Sequence, residues 1–337
     1  MIYYLYSFLI SFILAIITTP ILIIIAKKYD IIDHPKTPVK THKTATPYLG
    51  GLAIFFGFVT SLFIIRHITN FPTGTLRSLR GIIIGAIFII IVGLIDDLKT
   101  IGFKVKFLLQ ITVAIILISF DIRIKFIQPQ YLADILTILW VVGIINAINI
   151  VDIMDGLASG ISLIATMAFL FIALPTEEIY VNFAAAALAG GIFGFIKYNF
   201  PKAKIFMGDT GSMFLGFVLA ALSLGTSYTK INDIALYSPI LILGIPIFDT
   251  FYVMYLRLKL GKSPFLGSKD HFALRLEATG LTRKNVVILI WLIAIILSFA
   301  AFVISRVHLL VAIVIYITIL TLAILGGWKL SKIKMEE

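Results

Sequence analysis

The chain has no cysteine, which excludes disulfides, zinc–thiolate centres and thiol nucleophiles. It is also poor in charge. Only 13% of its 337 residues are Asp, Glu, Lys or Arg, and 60% are hydrophobic, against about 25% charged in an average soluble domain. That balance excludes a soluble globular fold. Nothing reads as a linker or low-complexity tract and no repeat of fixed period is visible, so residues 1–337 read as a single membrane domain. Acids are scarcer than bases, 17 against 28, for a net charge of +11. This excess reads as membrane topology and not as a nucleic-acid surface.

What the chain does have is apolar runs long enough to cross about 30 Å of hydrocarbon as helix. The pattern predicts an all-α integral membrane protein of about eleven transmembrane helices: 2–26, 49–68, 81–95, 107–120, 134–150, 157–174, 181–198, 212–227, 236–256, 286–305 and 309–327. The stretch Met1–Ala26 is too long for a signal peptide and no small-x-small cleavage site follows it, so it reads as a retained first span. One set of loops (27–48, 96–106, 197–211, 257–285 and the tail after 327) holds 21 of the 28 basic residues. The other set holds Arg66, Arg77, Arg80, Arg123, Lys125, Lys230 and Arg306. The positive-inside rule then places the N-terminus outside and the C-terminus in the cytoplasm, in a multi-pass cytoplasmic membrane protein.

Four acidic stretches stand at the ends of apolar runs, and all fall in the cytoplasmic set: Asp96-Asp97, Asn146 to Asp155, Gly208-Asp209 and Asp270-His271. The external loops hold only Asp121, Asp134, Glu177, Glu178 and Asp233. Carboxylates are costly near a bilayer, so their gathering on one face points to a cytoplasmic site for an anionic, water-soluble substrate. Solvated loop charge is the bland alternative, but it does not explain acids flush against helix ends and followed by Gly.

Gly93-Leu94-Ile95-Asp96-Asp97 ends the third span with paired carboxylates, which oppose the macrodipole of the helix they close. Such a pair suits Mg²⁺, which uses one or two protein carboxylates and completes its shell with water and substrate phosphate. Asn146, Asn149, Asp152 and Asp155 recur every third residue before Gly156. An α-helix would fan them over half its surface, whereas a 3₁₀ turn or an unwound end, supported by Gly156, would align them to bind a sugar or base edge. Phe206-Met207-Gly208-Asp209-Thr210-Gly211-Ser212 follows a basic stretch, Lys197 to Lys204, and opens the eighth span. It offers N–H groups for phosphate and a carboxylate for metal, with a simple N-cap at Asp209 or Thr210 as the rival. Asp249, in Pro246-Ile247-Phe248-Asp249, is the one acid expected inside a span, either functional or paired with a Lys or Arg. Within Lys262 to Arg275, the basic groups suit a diphosphate clamp, and His271 an acid or a phosphate donor.

Taken in order, these motifs resemble the polyprenyl-phosphate N-acetylhexosamine-1-phosphate transferases (glycosyltransferase family 4). The match runs over nearly the whole chain, from Asp33-His34-Pro35, Thr46-Pro47 and Gly50-Gly51 to Pro-Ile-Phe-Asp-Thr and the 270–276 segment. The resemblance implies that a polyprenyl phosphate attacks the β-phosphate of a UDP-sugar, giving polyprenyl-diphosphate-sugar and UMP, with Mg²⁺, or Mn²⁺ in its place, as cofactor. It implies that Asp209 binds metal with Asp97 beside it, and that Asp96, Asp97, Asp209 and His271 are catalytic, leaving open which of Asp96 and Asp97 touches the metal. It implies that Phe206 stacks on uracil, with Asn199 and Asp155 as nucleotide contacts, and that Asn149 and Asp152 line the sugar-diphosphate region. Asn146, Lys106 and Arg275 complete the substrate-binding set. A homo-oligomer is compatible with this reading.

There is one departure. Muramoyl-pentapeptide members of the family carry three consecutive His in the last large cytoplasmic loop, and the teichoic-acid and O-antigen enzymes a His-x-His-His-Arg. Here the stretch is His271-Phe272-Ala273-Leu274-Arg275. This and the eleven spans favour the N-acetylglucosamine branch, with the muramoyl-pentapeptide transferase as alternative. A secondary transporter is the rival from another class, but repeated halves and midplane charges are missing apart from Asp249.

Overall fold

The structure, a computed structural model, describes residues 1–34, 45–176, 178–228, 232–263, 268–333 and 335. Pro35, Glu177, Lys230 and the 264–267 part of the Lys262 to Arg275 stretch lie outside the described residues. The helices are α1 (Ile2–Lys28), α2 (Gly50–Ile68), α3 (Thr73–Leu98), α4 (Phe103–Ser119), α5 (Gln130–Val151), α6 (Leu157–Ala173), α7 (Ile179–Asn199), α8 (Gly208–Gly225), α9 (Ser238–Ile242), α10 (Gly244–Lys259), α11 (Phe272–Ala278), α12 (Arg283–Ile304) and α13 (Leu309–Ser331). A two-residue ladder pairs β1 (Ile32–Asp33) with β2 (Thr46–Pro47), antiparallel.

Helix covers all eleven expected segments. Among the described residues eight helices (α1, α2, α3, α5, α7, α8, α12 and α13) are long and apolar enough to cross a membrane. A ninth crossing results if the bent pair 233–242 and 244–259 counts as one. The 17-residue α4 and α6 fall short of spanning length.

Two boundaries differ from expectation. The third span begins eight residues early, at Thr73, because Leu76 and Leu79 continue its apolar face past Arg77 and Arg80, whose long side chains reach outward. The ninth, expected as one helix over 236–256, is broken. A 3₁₀ turn (Asp233–Tyr237) leads into α9, and α10 leaves at 71°. Pro246 has no N–H for the carbonyl four residues back and its ring clashes there, so the helix cannot run through.

Helices in lipid gain nothing from burying apolar surface against each other, so close backbone approach and polar contacts decide which of them pair. The Ala-rich α7 and the glycine-bearing α8 are the most enclosed helices, while α13 lies at the periphery with only Ala312 and Gly327 buried. Ser61 Oγ donates to the Ser7 carbonyl at 2.7 Å and joins α1 to α2. Phe214 of α8 meets Phe55 and Phe58 edge-on, at 5.7 and 5.6 Å.

The contact that places the functional groups is between α3 and α8. A Cβ on Gly93 would stand 2.5 Å from Thr210 Cα and 2.9 Å from the Asp209 carbonyl. Only glycine lets the two backbones touch here, one turn before Asp97. The first amides of α2 donate to the loop before α8, Gly50 N to Phe206 O at 3.0 Å and Gly51 N to Met207 O at 2.9 Å. Gly93→Ala is therefore expected to lower stability by about 1–3 kcal/mol, read as a lower unfolding midpoint in detergent. An unchanged midpoint would mean that α3 and α8 separate freely.

Candidate active site

Four helix ends meet at one end of the bundle: the C-termini of α3 and α5 and the N-termini of α4 and α8. The first turn of any helix leaves amides without partners. The residue preceding α8, Met207, makes no side-chain cap, nor does any side chain of α8 itself. The cap comes from across the bundle. Asp97 Oδ1 accepts from Asp209 N at 2.8 Å, and Oδ2 accepts from Thr210 N at 3.0 Å and Thr210 Oγ1 at 2.5 Å. A carboxylate unfavourable to the end of α3 is thus favourable to the start of α8. Gly208 takes φ 73°, and a Cβ there would stand 2.6 Å from Asp97 Oδ2, so the turn that exposes these amides requires glycine.

Asp96 is buried, accepts from Ile101 N at 2.7 Å through Oδ1, and pairs with Lys106 through Oδ2. Lys106 Nζ also holds Asp209 Oδ2 at 2.8 Å. Asp209 Oδ1 accepts from Asn149 Nδ2 at 2.8 Å, and the same amide donates to Ser212 Oγ at 2.8 Å. Asp96, Lys106, Asp209 and Asn149 thus form one chain of charge. Within it the Asp209 side chain is 35% exposed and that of Asp96 only 4%, so Asp209 faces the open side.

Helix α5 ends at Val151 and the backbone turns over 152–156, with Gly156 at φ 76° before α6. The expected break is there, and it separates the four polar residues. Asn146 donates to Gln110 Oε1 at 2.6 Å and to the Val142 carbonyl, joining α5 to α4. Asn149 reaches Asp209. Asp155 Oδ2 accepts from Ala203 N at 2.8 Å. The Asp152 side chain has no hydrogen bond or ion pair among the described residues, its backbone N–H alone reaching the Asn149 carbonyl. Burial pushes its carboxyl up to about 7, with the charges of Asp209, Asp155 and Asp97 adding to the rise. Burial likewise raises the Tyr48 phenol, with Asp97, Asp33 and Asp30 adding to it. The pocket is strongly negative.

The remaining expected contacts lie around this cluster or apart from it. Asn199 is buried: it accepts from Gly156 N and Ser159 Oγ, and donates to the Ile205 carbonyl at 3.1 Å. Its amide holds the 156 turn against the loop that carries half-buried Phe206. The structure does not bond His271 or Arg275 to the carboxylate cluster. Arg275 is buried, with Nη1 on the Ile333 carbonyl at 2.6 Å and Nη2 on Asp270 Oδ1 at 3.0 Å. Among the described residues Asp249 pairs with neither Lys nor Arg; its partner is His271. Sequence reasoning passed over Gln110 and Ser212. Gln110 was detectable as the one amide within its apolar helix, and Ser212 lies in the Gly-Asp-Thr-Gly-Ser motif itself.

Among the described residues no three His, Cys, Asp or Glu side chains are grouped to hold a metal unaided. One open carboxylate beside an amide and an unpaired Asp152 fits an ion such as Mg²⁺ that takes most of its ligands from water and phosphate.

A carboxylate pocket at the converging ends of apolar helices marks a functional site in a membrane protein. The sequence profile described as Glycosyl transferase family 4 matches residues 79–227, which include every member of the cluster from Asp96 to Ser212. A probable undecaprenyl-phosphate N-acetylglucosaminyl 1-phosphate transferase of Bacillus subtilis (strain 168) is 36% identical over 309 residues, covering 89% of this chain and 84% of its own. A decaprenyl-phosphate N-acetylglucosaminephosphotransferase of Mycobacterium leprae is 32% identical, covering 82% and 78%. The undecaprenyl-phosphate alpha-N-acetylglucosaminyl 1-phosphate transferase of Escherichia coli K12 is 26% identical, covering 81% and 76%. The chain belongs to glycosyl transferase family 4 and is a phosphoglycosyl transferase.

Asp97→Ala should leave three donors of α8 without an acceptor and lower stability by about 1–2 kcal/mol, with Asp97→Asn falling between. Equal midpoints for Asp97→Ala and wild type would remove the cap. Asp152 gives a pH test. An unfolded Asp titrates near 3.9 and the folded one at about 7. The folded chain keeps a proton that the unfolded chain has lost in between, so metal-free stability falls as pH rises through that window. With chelator present, Asp152→Asn should flatten the decline in unfolding midpoint between pH 5 and 8. The same slope as wild type would contradict the assignment.

Proposed function

We propose that the protein transfers N-acetylglucosamine-1-phosphate from UDP-N-acetylglucosamine to a polyprenyl phosphate and releases UMP, as the first membrane step of a cell-envelope glycan. The observation that carries this reading is Asp209, held by Lys106 and Asn149 at the capped start of α8 and open on its outer side. The names of the three relatives support the same transferred sugar and acceptor class. Eleven spans with the N-terminus outside would put the site at the cytoplasmic face, where UDP-sugars are soluble; the 21 basic residues of the cytoplasmic loop set support that orientation.

Phosphoryl chemistry is mostly positioning and neutralisation of charge. Asp209 and the Asn149 amide would hold Mg²⁺, or Mn²⁺ in its place, with Asp96 or Asp97 nearest to it; when bound, the ion neutralises the donor diphosphate. Lys106 lies between Asp96 and Asp209 and supplies a cation to the same phosphates. Phe206, with Asp155 and Asn199 behind it, would form the uridine side, and Asn146, Asn149 and Asp152 the sugar-diphosphate side. His271 and Arg275 would close the site from the last cytoplasmic loop. The acceptor oxygen forms a bond to the β-phosphorus while the bond to the bridging oxygen breaks, and UMP leaves with that oxygen. A phosphate monoester has its second pKa near 6, so the nucleophile is already ionised at neutral pH and needs no strong base. Asp96 and Asp97, tied to Lys106 and to the α8 amides, organise the pocket. A cavity of about 820 Å³ between α5, α10 and the end of α8 runs from Ala147 and Thr250 to Tyr180 and Asp121, and offers an apolar path for the polyprenyl chain.

Purified protein in detergent with undecaprenyl phosphate and Mg²⁺ should release UMP from UDP-N-acetylglucosamine but not from UDP-N-acetylmuramoyl-pentapeptide. Release from the second alone would transfer the chain to the peptidoglycan branch. Asp209→Asn should lower the rate by at least about 100-fold and abolish the rise in unfolding midpoint that Mg²⁺ gives the wild type. Near wild-type turnover in that variant would overturn the metal assignment.

A further inference from the structure

Asp249 is a fully buried carboxylate, 0% exposed, in a helix of a membrane protein. Both of its oxygens are committed to the last cytoplasmic loop. Oδ2 meets His271 Nδ1 at 2.7 Å, and Oδ1 accepts from Phe272 N at 3.0 Å. The next contacts lock the same junction. Phe248 packs edge-on against Phe272 at 5.7 Å, and Arg275 fastens the far end of α11 to the Ile333 carbonyl and to Asp270. The backbone and one ring nitrogen of His271 are therefore held by residues on both sides.

With the Asp249 oxygen as acceptor, the hydrogen of the imidazole sits on Nδ1, and Nε2 is the nitrogen left over. Nε2 has no hydrogen-bond partner among the described residues. It is also absent from the buried polar atoms sealed without partners, a group that includes the nearby Tyr252 hydroxyl. The ring is thus not wholly sealed, its side chain being 8% exposed. Helix α10, which carries Asp249, packs along α5, whose end carries Asn149 and leads into Asp152.

We infer that Asp249 is a positioning residue, fixing the ring of His271 so that Nε2 is presented to a phosphate oxygen of the reacting diphosphate. This rests on the transferase reading above. A phosphate oxygen at Nε2 needs a hydrogen on that nitrogen too. The ring then takes a proton from solvent, and its positive charge is balanced by Asp249 at the opposite nitrogen. The pairing also accounts for an acid inside a membrane helix, which is otherwise a net cost.

Substitutions at the two ring nitrogens separate this role from simple support of the fold. In His271→Asn the side-chain amide takes the place of Nδ1–H and keeps the bond to Asp249, but nothing replaces Nε2. The unfolding midpoint should stay near that of wild type while kcat falls by about 10- to 100-fold. Asp249→Asn should give a similar fall in kcat, and the double variant should be no slower than either single one. Only five histidines are present, so ¹⁵N-histidine spectra can resolve the ring. In wild type one ring should carry hydrogen on Nδ1, and Mg²⁺ with inorganic pyrophosphate should shift its Nε2 resonance. In Asp249→Asn the tautomer should reverse. Full activity of His271→Asn, losses that multiply in the double variant, or an Nε2 resonance unmoved by pyrophosphate would each overturn the proposal. If wild type turns over no UDP-sugar, the transferase reading fails on its own, and the pyrophosphate and tautomer spectra still decide the role of Asp249.

Discussion

The architecture depends on one carboxylate placed across the bundle from the helix it caps. The end of α3 and the start of α8 lie side by side, an end rich in bare carbonyls against an end rich in bare amides. Asp97 connects them by accepting from Asp209 N, Thr210 N and the Thr210 hydroxyl. With the backbone of Asp209 so held, its side chain meets Lys106 and Asn149 beside Asp96. The approach of Gly93 to Thr210, the turn at Gly208 and the hydrogen bonds from Gly50 and Gly51 all serve to bring those two ends together.

Around that joint the polar residues divide into two groups. Asp97, Asn146, Asp155 and Asn199 bond other parts of the chain and define the shape of the pocket. Asp209 keeps an exposed side chain and Asp152 an unbonded one, so these two are the carboxylates left open to added charge. Deletion of any residue in the first group would lower activity as well, by displacing the second. A loss of turnover alone therefore does not identify a group that touches substrate, whereas a change in how stability responds to Mg²⁺ or pH does.

Much of this was legible in the sequence, because lipid imposes severe rules. Long apolar runs marked the segments that became helix, and the gathering of acids at the ends of those runs marked the cluster. Three features were not legible. The break before α10 was concealed by an apolar run that continues through Gly244 and Pro246. The capping role of Asp97 depends on a partner more than 100 residues away, and motif spacing carries no record of such a distance. Asp249 and His271 lie 22 residues apart, separated partly by residues outside the described set, and only the packing of α11 on α10 brings them together.

The ties of Arg275 join two parts of the molecule with opposite surroundings. At one end is α11, next to the water-facing loop; at the other are the carbonyls of Leu330 and Ile333, at the end of α13, the helix with least protein around it. A helix so exposed follows the bilayer, and a mismatch between its apolar length and the hydrocarbon thickness is relieved by tilt. Tilt of α13 moves the two carbonyls that hold Arg275. Lipid thickness thus has a mechanical route to the loop carrying His271, through a guanidinium that touches no lipid.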